Sequence, residues 1–380
     1  MPQPQMKKEL KRIGKDAPKA LMPYKQDYTG WMIGALVLIA IIAIALYLNA
    51  NQKSPNPSPT AAPTLTSTLV PTKQSTPTPF ATATPTDEPI PTITRLEISK
   101  CGTIKESITL QNDLESQGTC LTIASQGVTI DCNGFKITGK TAENSSAIYS
   151  EFAKTSVKNC VISSYELGIR LFKADSSTLE DNVLTANIGG MLLQQSSGLK
   201  ILRNQFYNSS EGAIILNSVE KSALEGNFID QSTRYGIQVV GSSDNTLKGN
   251  LIYRNKFGIQ LSGSSNNLIL ANNVSFNSAG IKITSRSSGN RIEGNYVLDN
   301  QGVGLHVLDS FETVIKGNTF SGNEYGINML DWITNLEDNY ACGNSIMDIY
   351  CEASQNATGN ICEQRLTACG FDCVRKCKTD

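Results

Sequence analysis

A short motif, a small residue followed by apolar, variable and apolar positions, returns about every 22 residues between Ala147 and Cys351. Repeats of this period are typical of stacked solenoids. Because apolar and polar residues alternate within the motif, each copy is predicted to be a strand with one buried face. The copies are Gly168–Leu171, Gly190–Leu193, Ala213–Leu216, Gly236–Val239, Gly258–Leu261, Gly280–Ile283, Gly304–Val307 and Gly326–Met329.

Each unit is too short for a useful helix in addition to two strands and their turns, so the repeat predicts an all-β chain with one coil of a parallel β-helix per unit. Leucine-rich repeats have a similar period, but their leucine framework is absent, and helical repeats need longer units. All fourteen prolines lie at or before Pro91. Because proline cannot donate to a strand ladder, the proline-free remainder suits a backbone committed to internal strands.

Asparagine follows each motif start by about fourteen residues. Since stacked coils lie about 4.8 Å apart, like residues at one turn form a column whose amides can hydrogen-bond along the stack. We predict a structural role for this Asn ladder, which comprises Asn182, Asn204, Asn227, Asn250, Asn273, Asn295, Asn318 and Asn339. A weaker second column is Asn187, Asn208, Asn255, Asn277, Asn300 and Asn323. Glycine before four ladder positions supplies the left-handed conformation of a sharp turn; these are Gly226, Gly249, Gly294 and Gly317.

Composition divides the rest of the chain. Residues 1–30 carry seven lysines and arginines against three acids, and residues 31–48 are an uncharged apolar run of eighteen residues. A run of this length can cross a bilayer as a helix, and the preceding positive charge places the N-terminus in the cytoplasm and the remainder outside. We therefore predict a membrane anchor, with a cleaved signal peptide as the alternative.

Residues 49–93 are rich in proline and threonine. Such a segment cannot bury a core and tends to an extended polyproline II state. We expect either a stalk that lifts the following domain from the membrane or a linker of no fixed length. Residues 94–352 are predicted to form the β-helix, and 353–380 a cysteine-rich cap. A net charge of −1 gives no sign of nucleic-acid binding.

All ten cysteines lie after the predicted anchor. An even number outside a membrane favours disulfides in an oxidising exterior. Cys160 stands in the ladder position before Asn182, and Cys132 in the equivalent position one longer coil earlier, so the stacking distance predicts a Cys132–Cys160 disulfide. Cys101–Cys120 is the simplest assignment for the other two N-terminal cysteines. The six C-terminal cysteines allow fifteen connectivities, among which the sequence does not choose.

Several motifs are similar to those of a known group. Besides the Gly-Ile-x-Leu starts and Gly-Asn turns, they are the opening Ile130–Phe135 and the closing Asn339–Asn344 and Asp348–Cys351. On these features, the chain from Cys101 to Cys362 resembles the NosD-like and CASH-type right-handed parallel β-helix proteins, which are surface or periplasmic repeat proteins of archaea and bacteria. The resemblance implies carbohydrate binding or sugar hydrolysis and, in one branch, copper delivery.

Copper requires clustered histidine, cysteine or methionine ligands. His306 is the only histidine and methionines are sparse, so we expect no cofactor. Catalysis by β-helix relatives requires clustered carboxylates. Asp309 and Asp331 are predicted to stack one coil apart near His306, and two such carboxylates can act as acid and nucleophile or hold a hard cation. The alternative is a solvated pair at a turn.

The outward residue between the two apolar positions of each motif is never a carboxylate. In five successive coils it is polar, and amide and ammonium groups at strand spacing can bond the hydroxyls of a long glycan. These candidate ligand-binding residues are Gln238, Gln260, Lys282, His306 and Asn328. Any β-helix also needs polar residues outside, and no regular row of aromatic platforms marks this face.

The sequence therefore favours a single-pass surface protein whose β-helix is a non-catalytic module that binds glycans or an envelope protein, or forms part of the envelope itself. The alternative function is a polysaccharide lyase or glycoside hydrolase that uses Asp309 and Asp331.

Overall fold

The computed structural model describes residues 96–330 and 334–377, which wind into a solenoid of three parallel sheets. Each full coil passes through sheet 1, then sheet 2, then sheet 3, and pairs in register with the coils before and after it. The predicted parallel β-helix is confirmed. The predicted anchor and stalk, residues 31–48 and 49–93, lie outside the described residues. Within the described ranges, no helix has the length and apolar character that crossing a bilayer requires.

Sheet 1 contains the longest strands, which begin at the repeated motifs. They are β2 (Gly102–Ile104), β5 (Leu121–Ile123), β8 (Ser146–Ser150), β11 (Leu167–Phe172), β14 (Gly189–Gln194), β17 (Gly212–Asn217), β20 (Tyr235–Val240), β23 (Phe257–Ser262), β26 (Ala279–Thr284), β29 (Val303–Val307), β32 (Tyr325–Met329) and β35 (Met347–Cys351).

Sheets 2 and 3 are built from shorter strands. Sheet 2 contains β1 (Leu96–Ile98), β3 (Ile108–Leu110), β6 (Thr129–Asp131), β9 (Ser156–Lys158), β12 (Thr178–Glu180), β15 (Lys200–Leu202), β18 (Ala223–Glu225), β21 (Thr246–Lys248), β24 (Leu268–Leu270), β27 (Arg291–Glu293), β30 (Val314–Lys316), β33 (Asn335–Glu337) and β36 (Asn356–Thr358). Sheet 3 contains β4 (Leu114–Glu115), β7 (Lys136–Thr138), β10 (Val161–Ser163), β13 (Val183–Thr185), β16 (Gln205–Tyr207), β19 (Phe228–Asp230), β22 (Leu251–Tyr253), β25 (Asn273–Ser275), β28 (Tyr296–Leu298), β31 (Thr319–Ser321), β34 (Tyr340–Ala341) and β37 (Ile361–Cys362).

The core is a continuous stack of branched apolar side chains. Between β6 and β33, each short strand of sheets 2 and 3 buries its central residue, and the sheet 1 strands bury both apolar positions of the motif. In one coil these are Ile237, Val239, Leu247 and Ile252, all fully buried. Burying an isoleucine or leucine contributes about 1.5–3 kcal/mol. Each coil of the solenoid thus adds a similar set of buried apolar side chains to the core.

The Asn ladder occupies the turn from sheet 2 to sheet 3. In Asn250, the backbone N–H and the Nδ2 both donate to Asn272 Oδ1 at 2.9 Å, and the Nδ2 also donates to the Leu224 carbonyl of the preceding coil at 2.9 Å. Each amide therefore ties three coils together. The left-handed glycines before the ladder have φ of 59° to 64°, as the turn requires.

Two asparagines do not occupy the predicted ladder positions. The ladder residue is Asn272, whereas Asn273 begins β25 and its side chain accepts a hydrogen bond from Ser275 Oγ outside the core. The left-handed residue in this coil is Ala271, at φ 53°, so the turn lies one residue earlier than predicted. Asn272 therefore points into the core and Asn273 lies on the outer side. In the second column, Asn208 is exposed and Ser209 is buried in its place.

Five disulfides hold the two ends of the solenoid, and no cysteine is free. At the N-terminal end the structure contains both predicted pairs, Cys101–Cys120 and Cys132–Cys160, with Cα atoms 4.6 and 4.7 Å apart. Cys160 occupies the ladder position, since its N–H donates to Asn182 Oδ1 at 3.0 Å. This set of disulfides indicates an oxidising compartment, either extracellular or periplasmic.

At the C-terminal end, three disulfides fasten a short cap that contains a 3-10 helix, Thr367–Cys369. They are Cys342–Cys377, Cys351–Cys369 and Cys362–Cys373. The buried carboxylate of Asp348 accepts hydrogen bonds from Asn344 Nδ2 at 2.9 Å and from the backbone N–H groups of Glu363 and Gln364 at 2.9 and 3.0 Å. It thereby ends the second asparagine column and orients the cap.

Candidate functional site

The polar column lies along the outer face of sheet 1. Gln238 pairs with Gln260, Gln260 with Lys282, Lys282 with His306, and His306 with Asn328, each in strand register. All five side chains are partly buried. The structure thus brings together the five candidate ligand-binding residues, one per coil.

Apolar and aromatic residues bound this column at both ends. Asn328 is followed in register by Tyr350, and Gln238 is preceded by Ile215 and Leu192. The polar stretch therefore has a defined length of five coils rather than running along the whole solenoid.

Aromatic rings lie in the adjacent outward column, at the residue before the glycine of three motifs, namely Tyr235, Phe257 and Tyr325. Tyr235 and Phe257 stack with ring centres 5.7 Å apart, and Lys282 Nζ lies 5.6 Å from the centre of the Phe257 ring. Tyr325 contacts Tyr350 edge-on at 6.2 Å. This face consequently combines hydrogen-bonding groups with flat apolar surfaces.

Several polar atoms of the column are shielded from solvent and have no hydrogen-bond partner among residues 96–330 and 334–377. Three belong to the predicted binding residues: Gln260 Oε1, His306 Nε2 and Asn328 Oδ1. A buried polar atom without a partner costs about 1–3 kcal/mol. Such atoms are uncommon in folded proteins and require an explanation.

The imidazole of His306 is held in its neutral form. Burial lowers its pKa below the ordinary value, and the neighbouring charge of Lys282 lowers the pKa further. At neutral pH the ring therefore has one nitrogen that donates and one that accepts hydrogen bonds.

The structure describes only one member of the candidate catalytic pair, so the pairing of Asp309 with Asp331 stays a prediction. Asp309 lies in the turn after β29 with φ 49°, and its backbone carbonyl accepts a hydrogen bond from the Arg286 N–H. Asp331 lies outside the described residues. Among residues 96–330 and 334–377, no three histidine, cysteine, aspartate or glutamate side chains are grouped so that they can hold a metal ion.

A family model described as a right handed beta helix region matches residues 88–252 and 189–346. The chain belongs to the right-handed β-helix family. Membership of this family agrees with the three-sheet coil and establishes its hand. The NosD-like and CASH-type assignment is finer than this match and stays a prediction.

Solved structures of the same fold include two epimerases. The periplasmic alginate epimerase AlgG matches with a TM-score of 0.60 and 13% identity over 72% of this chain and 77% of AlgG. The A-module of the Azotobacter vinelandii mannuronan C-5 epimerase AlgE4 matches with a TM-score of 0.59 and 14% identity over 73% of this chain and 91% of the module. At these identities the likeness shows the β-helix fold alone. No curated protein matches the sequence.

The aromatic column of this β-helix was missed in the sequence. Tyr235, Phe257 and Tyr325 immediately precede the glycines of their motifs, whereas the predicted outward column consists of residues that follow each glycine. Because Gly236, Gly258 and Gly326 are buried, the residue before each of them faces outward on sheet 1. The signal in the sequence is an aromatic residue immediately before the motif glycine.

Proposed function

We propose that the outer face of sheet 1 binds an extended carbohydrate polymer without altering it. The observation that carries this proposal is the in-register column of five polar side chains, three of which, Gln260, His306 and Asn328, have a polar atom without a partner among the described residues. Sugar hydroxyls can donate to the two amide oxygens and can either donate to or accept from the neutral imidazole. Each bond formed would remove part of the cost of an unsatisfied polar atom, about 1–3 kcal/mol.

The geometry of the column suits a polymer better than a small molecule. Five binding groups are aligned on neighbouring strands about 4.8 Å apart, so they extend along the solenoid rather than converging on one point. Rings at Tyr235, Phe257 and Tyr325 supply apolar surface beside them. That both similar structures are named for action on polysaccharides, alginate and mannuronan, supports a carbohydrate ligand.

A polysaccharide-modifying enzyme, such as a lyase, is the second candidate. It is favoured by the lowered pKa of His306, because a neutral imidazole can take a proton from a substrate while the neighbouring Lys282 neutralises negative charge. The predicted pair Asp309 and Asp331 would be the carboxylates of such an enzyme or of a glycoside hydrolase. Incubating the protein with polysaccharides and measuring new reducing or unsaturated ends separates the two functions, since binding alone forms no product.

Binding is tested by titrating a panel of neutral and acidic oligosaccharides into the full chain and its variants. Gln260→Ala and Asn328→Ala should each weaken binding about fivefold, the loss expected for one hydrogen bond of about 1 kcal/mol. Asn335→Ala, on the outer face of sheet 2, is the matched control and should leave the affinity unchanged. Unaltered affinity in both sheet 1 variants would rule out this face as the binding surface.

We propose further that residues 31–48 anchor this β-helix to the cell membrane, with residues 49–93 as its stalk. The support is the eighteen-residue apolar run and the basic segment before it. The full chain should sediment with membranes, and a chain lacking residues 1–48 but carrying an export signal should not. Recovery of a soluble mature protein cleaved near residue 49 would instead show a signal peptide.

A further inference from the structure

A groove runs along the corner where the chain passes from sheet 3 to sheet 1. It has a volume of about 520 Å³ and is lined by turn residues of four successive coils. Two of these lining side chains are cationic, Arg254 and Lys256, and none carries a carboxylate. The same wall includes the hydroxyl of Ser278, the amide of Gln301 and the ring of Phe276.

Arg254 is held in place by a buried carboxylate. Its Nε donates to Asp230 Oδ1 at 2.7 Å and its Nη2 donates to Asp230 Oδ2, while Asp230 itself is only 5% exposed. A guanidinium has five N–H groups in a rigid fork, so this pairing leaves three of them for a ligand. The side chain of Arg254 remains half exposed.

Lys256 supplies charge that no carboxylate within the described residues neutralises. It is exposed, and its Nζ lies 5.9 Å from the centre of the Phe257 ring. Lys282, in the polar column, lies 5.6 Å from the centre of the same ring. Phe257 therefore lies between the corner groove and the outer face of sheet 1. The ammonium groups of Lys256 and Lys282 both lie near its ring.

Phe276 is an exposed ring on a backbone that suits glycine. Its side chain is 57% exposed and its φ is 59°, whereas later coils place Gly322 and Gly343 at the equivalent corner position. The same positive φ recurs at this corner in Arg254 and Asp299, so it belongs to the turn of each coil, and the distinguishing feature of Phe276 is its exposed ring. The ring provides a flat apolar wall to the groove. Asp299 occupies the corner position one coil beyond Phe276 but does not line the groove.

We infer that the corner groove binds a carboxylate-bearing sugar residue, which makes the polymer on sheet 1 an acidic polysaccharide. This inference rests on the proposed function for the identity of the ligand as a glycan. Lys256 and the remaining N–H groups of Arg254 bind the carboxylate by charge-assisted hydrogen bonds, the ring of Phe276 packs against the sugar ring, and Gln301 and Ser278 bond its hydroxyls.

The test compares uronate oligosaccharides, such as oligogalacturonate and oligomannuronate, with the same oligosaccharides after reduction of their carboxyl groups to alcohols. Lys256→Gln in the full chain should weaken uronate binding about tenfold, the loss of one charge-assisted contact, and should leave binding of the reduced forms unchanged. Lys200→Gln removes an exposed lysine of sheet 2 and should change neither. Equal affinity of the wild type for the uronate and reduced forms would overturn the inference.

A second variant separates a ligand contact from a structural role. Phe276→Gly relieves the positive φ, so the stability of the protein should be unchanged or raised while binding of both oligosaccharide forms weakens. A clear loss of stability with unchanged affinity would assign Phe276 to the fold and overturn its role in the groove.

The two proposals fail in different ways. If Lys256→Gln binds uronate like the wild type while Gln260→Ala does not, the groove is excluded and the sheet 1 function stands. If Gln260→Ala and Asn328→Ala bind normally and Lys256→Gln does not, the groove is a glycan site and sheet 1 is excluded. Binding of neutral oligosaccharides alone supports sheet 1 and contradicts the acidic ligand.

Discussion

Single asparagines in the turns stabilise the coils because each makes several hydrogen bonds that its neighbours cannot replace. Asn272 donates from its N–H and Nδ2 to Asn295 Oδ1 at 2.9 and 3.0 Å, and from Nδ2 to the Leu247 carbonyl at 2.8 Å. Its Oδ1 accepts two more bonds from Asn250. Loss of this amide leaves buried donors and acceptors of three coils unsatisfied.

Neighbouring asparagines of one coil therefore differ in their contribution to stability. Asn272→Ala should lower the free energy of unfolding by about 3 kcal/mol, because at least two buried polar groups lose their partners. Asn273→Ala removes only the hydrogen bond that its Oδ1 accepts from Ser275 Oγ and should lower it by about 1 kcal/mol. Chemical denaturation of both variants measures this difference, and equal effects would contradict the assignment of Asn272 to the ladder.

His306 is the only histidine, so its titration can be followed without ambiguity by NMR. Because its pKa is lowered in the folded state, the unfolded chain binds the proton more readily, and stability falls as the pH drops below the ordinary histidine value of about 6.5. His306 should therefore titrate below that value, and Lys282→Gln should raise its pKa by removing a nearby positive charge. A histidine pKa at or above the ordinary value in the folded protein would contradict the burial of the ring.

The size of the residue that begins a motif is related to the size of the second-column residue that lies about 19 positions later. A methyl group at Gly236 would lie 2.6 Å from the Ile252 side chain and from the Gly258 carbonyl oxygen, and 3.2 Å from Asn255 Nδ2. In the coil whose motif begins with Ala213, the corresponding column residue is Ser232, which is smaller. A column asparagine is accompanied by glycine at the motif start, whereas the two column serines, Ser209 and Ser232, accompany Gly190 and Ala213.

This pairing predicts a measurable coupling. Ser232→Asn alone should destabilise the protein by about 1–3 kcal/mol, because the larger side chain meets the methyl group of Ala213. Adding Ala213→Gly should recover at least about 1 kcal/mol, since Ser232 Oγ has no partner in the wild type and an asparagine would extend the column from Asn255. A double-mutant cycle by chemical denaturation gives the coupling energy, and additive effects would show that the two positions do not contact each other.

The repeat made the architecture predictable, while small variations in its length limited the detail. Period and alternation identify the coil, and the spacing of Cys160 from Asn182 identifies a disulfide position. The ladder spacing varies between 21 and 23 residues, however, and a shift of one residue separates buried Asn272 from partly exposed Asn273. The corner groove depends on side chains of four coils meeting between two sheets, which no single repeat reveals.

The solenoid has two exposed ends, where unpaired strand edges and core residues require covering. At the C-terminal end the buried pair Cys351–Cys369 joins β35 to the cap, and the two cysteines are 18 positions apart in sequence. Since coils contact only their neighbours, damage at this end should spread inward from the last coil instead of affecting all coils together.

Replacing Cys351 and Cys369 together by serine should therefore lower the free energy of unfolding by about 2–4 kcal/mol, the usual contribution of a disulfide. Amide hydrogen exchange should accelerate first in β35 and later, if at all, in β20. Uniform loss of protection across β20 and β35 would show that the solenoid unfolds as one unit.

The face of sheet 1 can be observed directly through its single imidazole. An acidic oligosaccharide titrated into the full chain carrying ¹³C-labelled histidine should shift the His306 resonance in a saturable manner, with the same dissociation constant that calorimetry gives. A His306 resonance that stays unchanged while the oligosaccharide binds elsewhere would contradict the account.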